Sequence, residues 1–219
     1  MIQGASGMRM IRPEYVNKIC NLFKSYNIPI IFDEVMTGFG RTGTMFSYEQ
    51  TEIVPDIICL SKALTAGALP MALTVTTNDI YKEFFSSDAD KTFLHGHSYT
   101  ANPLACVAAT ASLEIFEESD ILDKIKKINN IHKEELKKLE TYDFLDKFRT
   151  CGLISAFEIK NKNGYGSDFS NKLKNKFFDK GLLLRPLGNI VYFLPPYCIS
   201  EDDLRKSYRI VLEVIKEFV

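Results

Sequence analysis

The chain has 219 residues, of which 46% are apolar and 25% charged, which is enough for one large or two small domains of an ordinary globular protein. Its formal net charge of −1 gives no electrostatic reason to expect binding to nucleic acid or to an anionic membrane. No apolar run approaches the ~20 residues of a membrane span, and five single cysteines without a CxxC pair favour a reduced, cytoplasmic protein.

The first part of the chain alternates helical and strand patterns. A helix is predicted over residues 13–27 from a stripe at helical spacing: Tyr15, Ile19, Leu22, Phe23 and Tyr26. Strands are predicted over 28–35, 56–62 and 71–77, and a short helix over 79–86. The strand at 28–35 is continuously apolar up to its charged end, as is typical of a strand covered on both faces. This order predicts a largely parallel sheet with helices on its faces.

Two amphipathic helices follow. The helix at 102–118 has a stripe consisting of Leu104, Val107, Ala111 and Ile115. The helix at 121–140 has a stripe consisting of Leu122, Ile125, Ile128, His132, Leu136 and Leu139. Beyond them, strands are predicted over 153–160 and 189–197, and helices over 168–180 and 201–218. We therefore expect an α/β fold with a domain change near residue 145.

Charged residues end two of the predicted strands. The stretch "IIFDEVMTGFGRTG" delivers Asp33 and Glu34, and the strand at 56–62 ends in Lys62. The carboxyl ends of parallel strands meet at one edge of a sheet, where ligands bind. A lysine there can serve as a nucleophilic amine toward pyridoxal phosphate, whose pyridine nitrogen needs a carboxylate partner such as Asp33. The alternative is that Asp33 and Lys62 form a salt bridge or are solvated loop residues. Side chains alternate along a strand, so Glu34 should point to the opposite face of the sheet from Asp33 and have a structural role.

Two other patterns are weaker. Glycines at positions 38, 40 and 43 lack the lysine of a P-loop and the GxGxxG order, so they predict a flexible loop near a ligand and no phosphate cradle. His95 and His97 have the spacing of a metal-binding pair, but no third ligand stands nearby in the sequence, so no metal site is expected.

Three blocks, "DEVMTGFGRTG", "PDIICLSKAL" and "HGHSYTANPLA", resemble the class III (subgroup II) pyridoxal-phosphate-dependent aminotransferases in order and spacing. The resemblance covers essentially the whole chain and includes "QGASGM" and "GLLLRPLGNIVYFLPPY". It implies the fold type I architecture of these transferases. Residues 1–145 would then be the C-terminal part of the large, mostly parallel-sheet domain that binds the cofactor. Residues 146–219 would form the smaller α+β C-terminal domain.

The resemblance also assigns cofactor roles. Asp33 resembles the carboxylate that pairs with the pyridine nitrogen, and Lys62 resembles the Schiff-base lysine, which then moves a proton at the substrate α-carbon. Ser98 resembles the hydroxyl that binds the cofactor phosphate across a dimer interface. His97 stands beside it, where some family members have proline.

Substrate roles fall on three further residues. Arg185 resembles the receptor of a substrate carboxylate, Arg41 a second substrate-side arginine, and Tyr192 an aromatic hydroxyl near the substrate. From the residues alone, Arg185 could equally pair with a surface acid, Arg41 could cap the glycine loop, and Tyr192 could belong to the core.

The resemblance implies S-adenosylmethionine as amino donor and 8-amino-7-oxononanoate as acceptor, in a homodimer of the biotin pathway. Alternatives are an aminotransferase for ornithine, 4-aminobutyrate or another ω-amino acid, and a non-catalytic protein that only associates with a partner chain. In the family, the residues that match "MIQGASGM" lie near the middle of the chain. We therefore expect that the N-terminal half of the family pattern has no counterpart in these 219 residues. We therefore expect residues 1–219 alone to be inactive or poorly folded, with open sheet edges.

Overall fold

The computed structural model describes residues 1–160 and 168–219. Its helices are α1 (Pro13–Ser25), α2 (Asn78–Phe84), α3 (Pro103–Glu118), α4 (Ile121–Leu139), α5 (Asp168–Asp179) and α6 (Glu201–Lys216). Its strands are β1 (Ile2–Gln3), β2 (Arg9–Met10), β3 (Ile31–Asp33), β4 (Ile57–Leu60), β5 (Leu73–Thr76), β6 (Leu145–Cys151), β7 (Ile154–Ile159) and β8 (Ile190–Phe193). None of the described helices has the length and apolar character needed to cross a membrane.

The chain divides into two compact units. Unit 1 consists of Met1, Ile11–Phe39 and Thr44–Asp120, and unit 2 of Ile2–Met10, Gly40–Gly43 and Ile121–Val219. The sequence predicted a domain change near residue 145, but the contacts place α4 in unit 2, because α4 packs on β6, β7 and α6. The glycine loop also contributes a short segment to unit 2.

Unit 1 contains a three-stranded sheet in the order β3-β4-β5. Strands β3 and β4 are parallel, as predicted, but β5 pairs with β4 in the antiparallel direction. The described sheet is thus mixed, with one parallel and one antiparallel pair of strands. Residues 61–72 join β4 to β5 through a one-turn 3-10 helix and no α-helix, so the chain folds back beside β4.

Unit 2 contains an antiparallel sheet in the order β6-β7-β8. Its central strand β7 is buried at every position except Glu158. The predicted stripe of α4 is confirmed as a core face, since Ile125, Ile128 and Leu136 are all buried. Strand β6 was not predicted, because an irregularity between Asp146 and Arg149 breaks the alternation of its side chains.

A buried hydrogen-bond chain runs through the core of unit 2. His132 is fully buried, and its Nε2 lies 3.0 Å from the Leu153 carbonyl oxygen, which can only accept, so Nε2 carries the proton. Nδ1 therefore accepts from the Tyr208 hydroxyl at 2.7 Å. The Tyr208 oxygen in turn accepts from Ser155 at 2.6 Å. Each hydrogen bond in this chain therefore has a defined donor and a defined acceptor.

This network predicts a loss of stability in mild acid. Burial lowers the pKa of His132 from 6.5 to about 4, although its hydrogen bond to Leu153 opposes the shift. The unfolded chain takes up the proton first, so the free energy of unfolding should fall as the pH drops from ~6.5 to ~4, by up to roughly 3 kcal/mol. This fall in the free energy of unfolding can be measured from the hydrogen exchange of the β7 amides at pH values between ~6.5 and ~4. The His132→Gln variant should lack this part of the pH dependence, and an unchanged slope in the variant would contradict the assignment.

Candidate active site

Asp33 and Lys62 lie at the carboxyl ends of neighbouring strands. In the parallel pair, Asp33 is in register with Cys59, and the Glu34 amide donates to the Cys59 carbonyl at 2.9 Å. Lys62 follows Cys59 by three residues and begins the 3-10 helix Lys62–Thr65. The structure therefore brings the two strand ends together at one edge of the sheet, as the sequence predicted.

The side chains of both residues are exposed. Asp33 Oδ1 accepts a hydrogen bond from the Val35 amide at 3.0 Å. Across residues 1–160 and 168–219, no salt bridge joins Asp33 to Lys62 or to any other charged residue. The salt-bridge alternative is thus absent from the described part of the chain, and both charged groups can meet a ligand.

The backbone around Lys62 is firmly anchored although its side chain is not. Lys62 has a φ of +46°, in the left-handed region that residues other than glycine seldom adopt. On either side, Ser61 Oγ donates to the Met71 carbonyl at 2.7 Å, and Ser112 Oγ of α3 donates to the Ala63 carbonyl at 3.2 Å. Backbone strain of this kind is often found at functional sites.

Glu34 organises the loop after β3. It is 1% exposed, and its carboxylate accepts from the Tyr48 amide at 2.8 Å and from the Thr37 hydroxyl. The structural role expected for Glu34 is confirmed by these contacts. Phe39 follows with a φ of +57° and packs its ring against Phe46, with the ring centroids 5.6 Å apart.

His97 and Ser98 lie in an exposed segment between α2 and α3. His97 Nδ1 accepts from the Tyr99 amide at 3.1 Å, and the His97 amide donates to Thr100 Oγ1 at 3.1 Å. Among the residues that the structure describes, neither side chain bonds to Asp33 or Lys62. The structure of one chain therefore does not join the expected phosphate-binding residues to the strand ends.

Arg41 belongs to unit 2, where it is held by groups that the sequence analysis missed. Its guanidinium lies 4.3 Å from the centroid of the Tyr197 ring, and Nη1 donates to the Pro195 carbonyl at 3.3 Å. Its own carbonyl accepts from the Leu153 amide at 3.0 Å. Burial lowers the pKa of Arg41, and the charge interaction with Tyr197 opposes that shift. The sequence signal was "PPY" at 195–197, the last three residues of the predicted strand 189–197.

Arg185 and Tyr192 lie on the chain around β8. Arg185 is exposed between α5 and β8. Within residues 1–160 and 168–219 it forms no salt bridge, so it does not pair with a surface acid of the described chain. Tyr192 is partly buried in β8, in register with Ala156 of β7. The guanidinium of Arg185 is therefore available to a ligand.

A cavity of about 690 Å³ in unit 2 contains none of the predicted site residues. The basic side chains that line it are Arg9, Lys147 and Arg149. The guanidinium of Arg149 donates to the carbonyls of Gly7, Met8 and Lys147 at 2.7, 2.9 and 2.6 Å. These bonds use three of the five N–H donors of Arg149, and its Nη1 also lies 3.5 Å from Glu158 Oε1. Arg149 therefore connects the β1–β2 hairpin to β6 and is already paired with a carboxylate.

Comparison with known proteins shows that the chain is similar to aminotransferases. The family model "Aminotransferase class-III" matches residues 1–215. Adenosylmethionine-8-amino-7-oxononanoate aminotransferases from Synechococcus elongatus and Helicobacter pylori are 41% and 40% identical to the chain, over 99% of it and 51% and 50% of their own lengths. The crystal structure of that aminotransferase from Methanocaldococcus jannaschii matches with a TM-score of 0.92 and 35% identity, over 99% of this chain and 52% of that one. The chain thus spans about half the length of these relatives.

Proposed function

We propose, because this chain belongs to the class III aminotransferase family, that it forms the lysine-bearing half of a pyridoxal-phosphate-dependent enzyme of fold type I. The reaction would transfer an amino group from S-adenosylmethionine to 8-amino-7-oxononanoate and give 7,8-diaminononanoate, a step of biotin synthesis. The observation that supports the proposal is the parallel pairing of β3 and β4, after whose carboxyl ends Asp33 and Lys62 stand at the same edge of the sheet. The names of the relatives support the choice of substrates.

The residues at the strand ends fit the cofactor. When bound, pyridoxal phosphate withdraws electrons from the substrate α-carbon through its protonated ring. The Asp33 carboxylate is exposed, and no salt bridge to it lies within the described residues, so it can accept a hydrogen bond from the protonated ring nitrogen. A carboxylate in that position keeps the nitrogen protonated by favouring the charged form.

Lys62 supplies the amine. Its side chain is exposed at the end of β4, and its backbone is fixed by the anchored 3-10 helix. The free amine of Lys62 would take the proton from the substrate α-carbon and return a proton to the acceptor in the second half of the reaction. A fixed backbone gives the exposed Lys62 side chain a defined starting position for this proton transfer.

The remaining residues would orient the two ends of the reacting molecules. Arg185 would receive the carboxylate of the acceptor through two parallel hydrogen bonds. Arg41, stacked on Tyr197, would add a second cation, and Tyr192 a hydroxyl. Ser98, assisted by His97, would bind the cofactor phosphate from the other subunit of a homodimer in the cytoplasm.

A chimera tests this proposal. Residues 1–219 replace the matching half of the Synechococcus elongatus relative, and the purified chimera is offered S-adenosylmethionine, ornithine and 4-aminobutyrate in turn. We expect turnover of 8-amino-7-oxononanoate with S-adenosylmethionine alone, and growth of a biotin auxotroph that lacks this aminotransferase. Turnover with ornithine or 4-aminobutyrate instead would assign an ω-aminotransferase. A folded chimera without amino transfer to any acceptor would assign a non-catalytic, associating protein.

A further inference from the structure

The cavity of unit 2 has an unbalanced charge. Three basic side chains, Arg9, Lys147 and Arg149, line it together with the carboxylate of Glu158. The two basic residues of β6 share this carboxylate, since Glu158 Oε2 lies 2.8 Å from Lys147 Nζ and Glu158 Oε1 lies 3.5 Å from Arg149 Nη1. The residues that line the cavity therefore carry two more positive than negative charges.

Arg9 is the basic residue of the cavity that has no partner. It lies in β2, and across residues 1–160 and 168–219 its guanidinium forms neither a salt bridge nor a hydrogen bond. Its charge nevertheless acts on Arg149. Burial lowers the pKa of Arg149, Glu158 opposes that shift, and the charge of Arg9 adds to it. Two guanidinium groups that repel each other beside a partly buried surface favour the binding of an anion there.

An irregular part of β6 directs its two basic side chains to the cavity. The register of β6 against β7 shifts between Asp146 and Arg149, and Lys147 has a φ of +51°, in the left-handed region. Irregularities of this kind redirect side chains and are common beside functional sites. Both Lys147 and Arg149 reach Glu158 from this segment. The strained backbone of β6 thus concentrates positive charge at the cavity.

The turn between β1 and β2 adds polar and apolar groups to the lining. The guanidinium of Arg149 holds this turn through the Gly7 carbonyl at 2.7 Å. The turn approaches β8 so closely that a Cβ on Gly7 would lie 2.3 Å from Ile190 Cδ1. The exposed Ser6 hydroxyl is a further donor, and the side chains of Met10 and Ile190 are apolar. The cavity therefore offers hydrogen-bond donors, excess positive charge and an apolar wall.

We propose that this cavity of unit 2 binds a small organic phosphate. A phosphate monoester carries about −1.5 to −2 charges at pH 7 and has three acceptor oxygens. These match the excess positive charge and the donors of Arg9, Lys147 and Ser6, while Met10 and Ile190 contact the organic part. The volume of about 690 Å³ lies within the ~300–1,000 Å³ that is typical of small-molecule sites. This inference goes beyond the proposed function, since binding at the cavity needs no catalysis.

The test measures the binding of phenyl phosphate to the chimera by isothermal titration calorimetry. The chimera is first loaded with pyridoxal phosphate, so that the phosphate site of the cofactor is already filled. We expect one phenyl phosphate to bind per chain, with an affinity that falls as salt is added. Benzoate, which has the same ring but a single negative charge, should bind at least tenfold more weakly. Inorganic phosphate should also bind more weakly, because it has no group to contact the apolar wall.

Matched variants locate the site. Arg9→Gln should weaken the binding of phenyl phosphate about tenfold or more, because it removes charge-assisted hydrogen bonds to the phosphate. Arg209→Gln, which removes an exposed arginine of α6 that does not line the cavity, should leave the affinity unchanged. Ser6→Asp, which keeps Arg9 but places a carboxylate at the cavity, should abolish binding. Bound phenyl phosphate should also slow hydrogen exchange of the amides at 5–10.

Three results would overturn the proposal. They are no binding of phenyl phosphate to the chimera, equal or tighter binding of benzoate or inorganic phosphate, and binding that Arg9→Gln and Ser6→Asp leave unchanged. An active chimera that does not bind phenyl phosphate would overturn the phosphate site and leave the proposed function intact. An inactive chimera that binds it through Arg9 would support the site although the proposed function had failed.

Discussion

Replacing Lys62 by alanine is expected to lower the rate of amino transfer by the chimera by about 10²–10⁴-fold, the range typical for loss of a positioned proton-transfer group. The variant retains the anchoring bonds of Ser61 and Ser112, since neither involves the Lys62 side chain. Its fold should therefore be unchanged. The measurement is the steady-state rate of 7,8-diaminononanoate formation.

The control for Lys62→Ala is Lys18→Ala, which removes another exposed lysine of unit 1 from the surface of α1. Lys18→Ala should keep the parental rate. A small primary amine such as methylamine, added to the Lys62→Ala variant, should restore part of the rate because it can carry the same proton. Parental activity of Lys62→Ala would remove Lys62 from the mechanism.

Replacing Gly152 by alanine is expected to cause the largest loss of stability in unit 2. Gly152 has a φ of +59°, and a Cβ at this position would lie 2.3 Å from both the Gly43 nitrogen and the Thr42 carbonyl carbon. The conformation costs about 1–2 kcal/mol for a residue with a side chain, and overpacking about 1–3 kcal/mol more. Because the contact is with backbone atoms, the loop that carries Arg41 must move away from the turn between β6 and β7.

Gly181→Ala is the matched control for this effect. Gly181 also has a positive φ, +77°, but no atom lies within 4 Å of the Cβ position, so only the conformational cost applies. Hydrogen exchange of the β6 and β7 amides should speed up much more in Gly152→Ala than in Gly181→Ala. Equal effects would show that the loop does not pack tightly against the turn.

The sequence predicted the elements that position Asp33 and Lys62 because both strands are long apolar runs with a charged end. It also predicted the buried face of α4, whose spacing has one clear stripe. It could not predict the direction of β5, since that depends on the path of residues 61–72. Periodicity likewise shows that the stripe of α3 is apolar, but not that Leu104 and Val107 are exposed in the structure.

The groups around Arg41 show a second limit of sequence reasoning. Leu153, Pro195 and Tyr197 are all far from Arg41 in the chain, and each holds it through a backbone carbonyl, a backbone amide or a ring face. Every residue type has a backbone amide or carbonyl, so contacts made by backbone atoms cannot be predicted from the identity of the residue. The residue roles that the family pattern implies stay predictions, whereas the contacts that hold Arg41 could be found only from the structure.

The most direct measurement of the central claim is the site at which pyridoxal phosphate attaches. The chimera, loaded with the cofactor, is reduced with borohydride, digested and analysed by mass spectrometry. The account predicts that the peptide containing Lys62 carries the cofactor mass, and that Asp33→Asn lowers amino transfer without changing the attachment site. Attachment to a different lysine, with Lys62 unmodified in a folded protein, would contradict it.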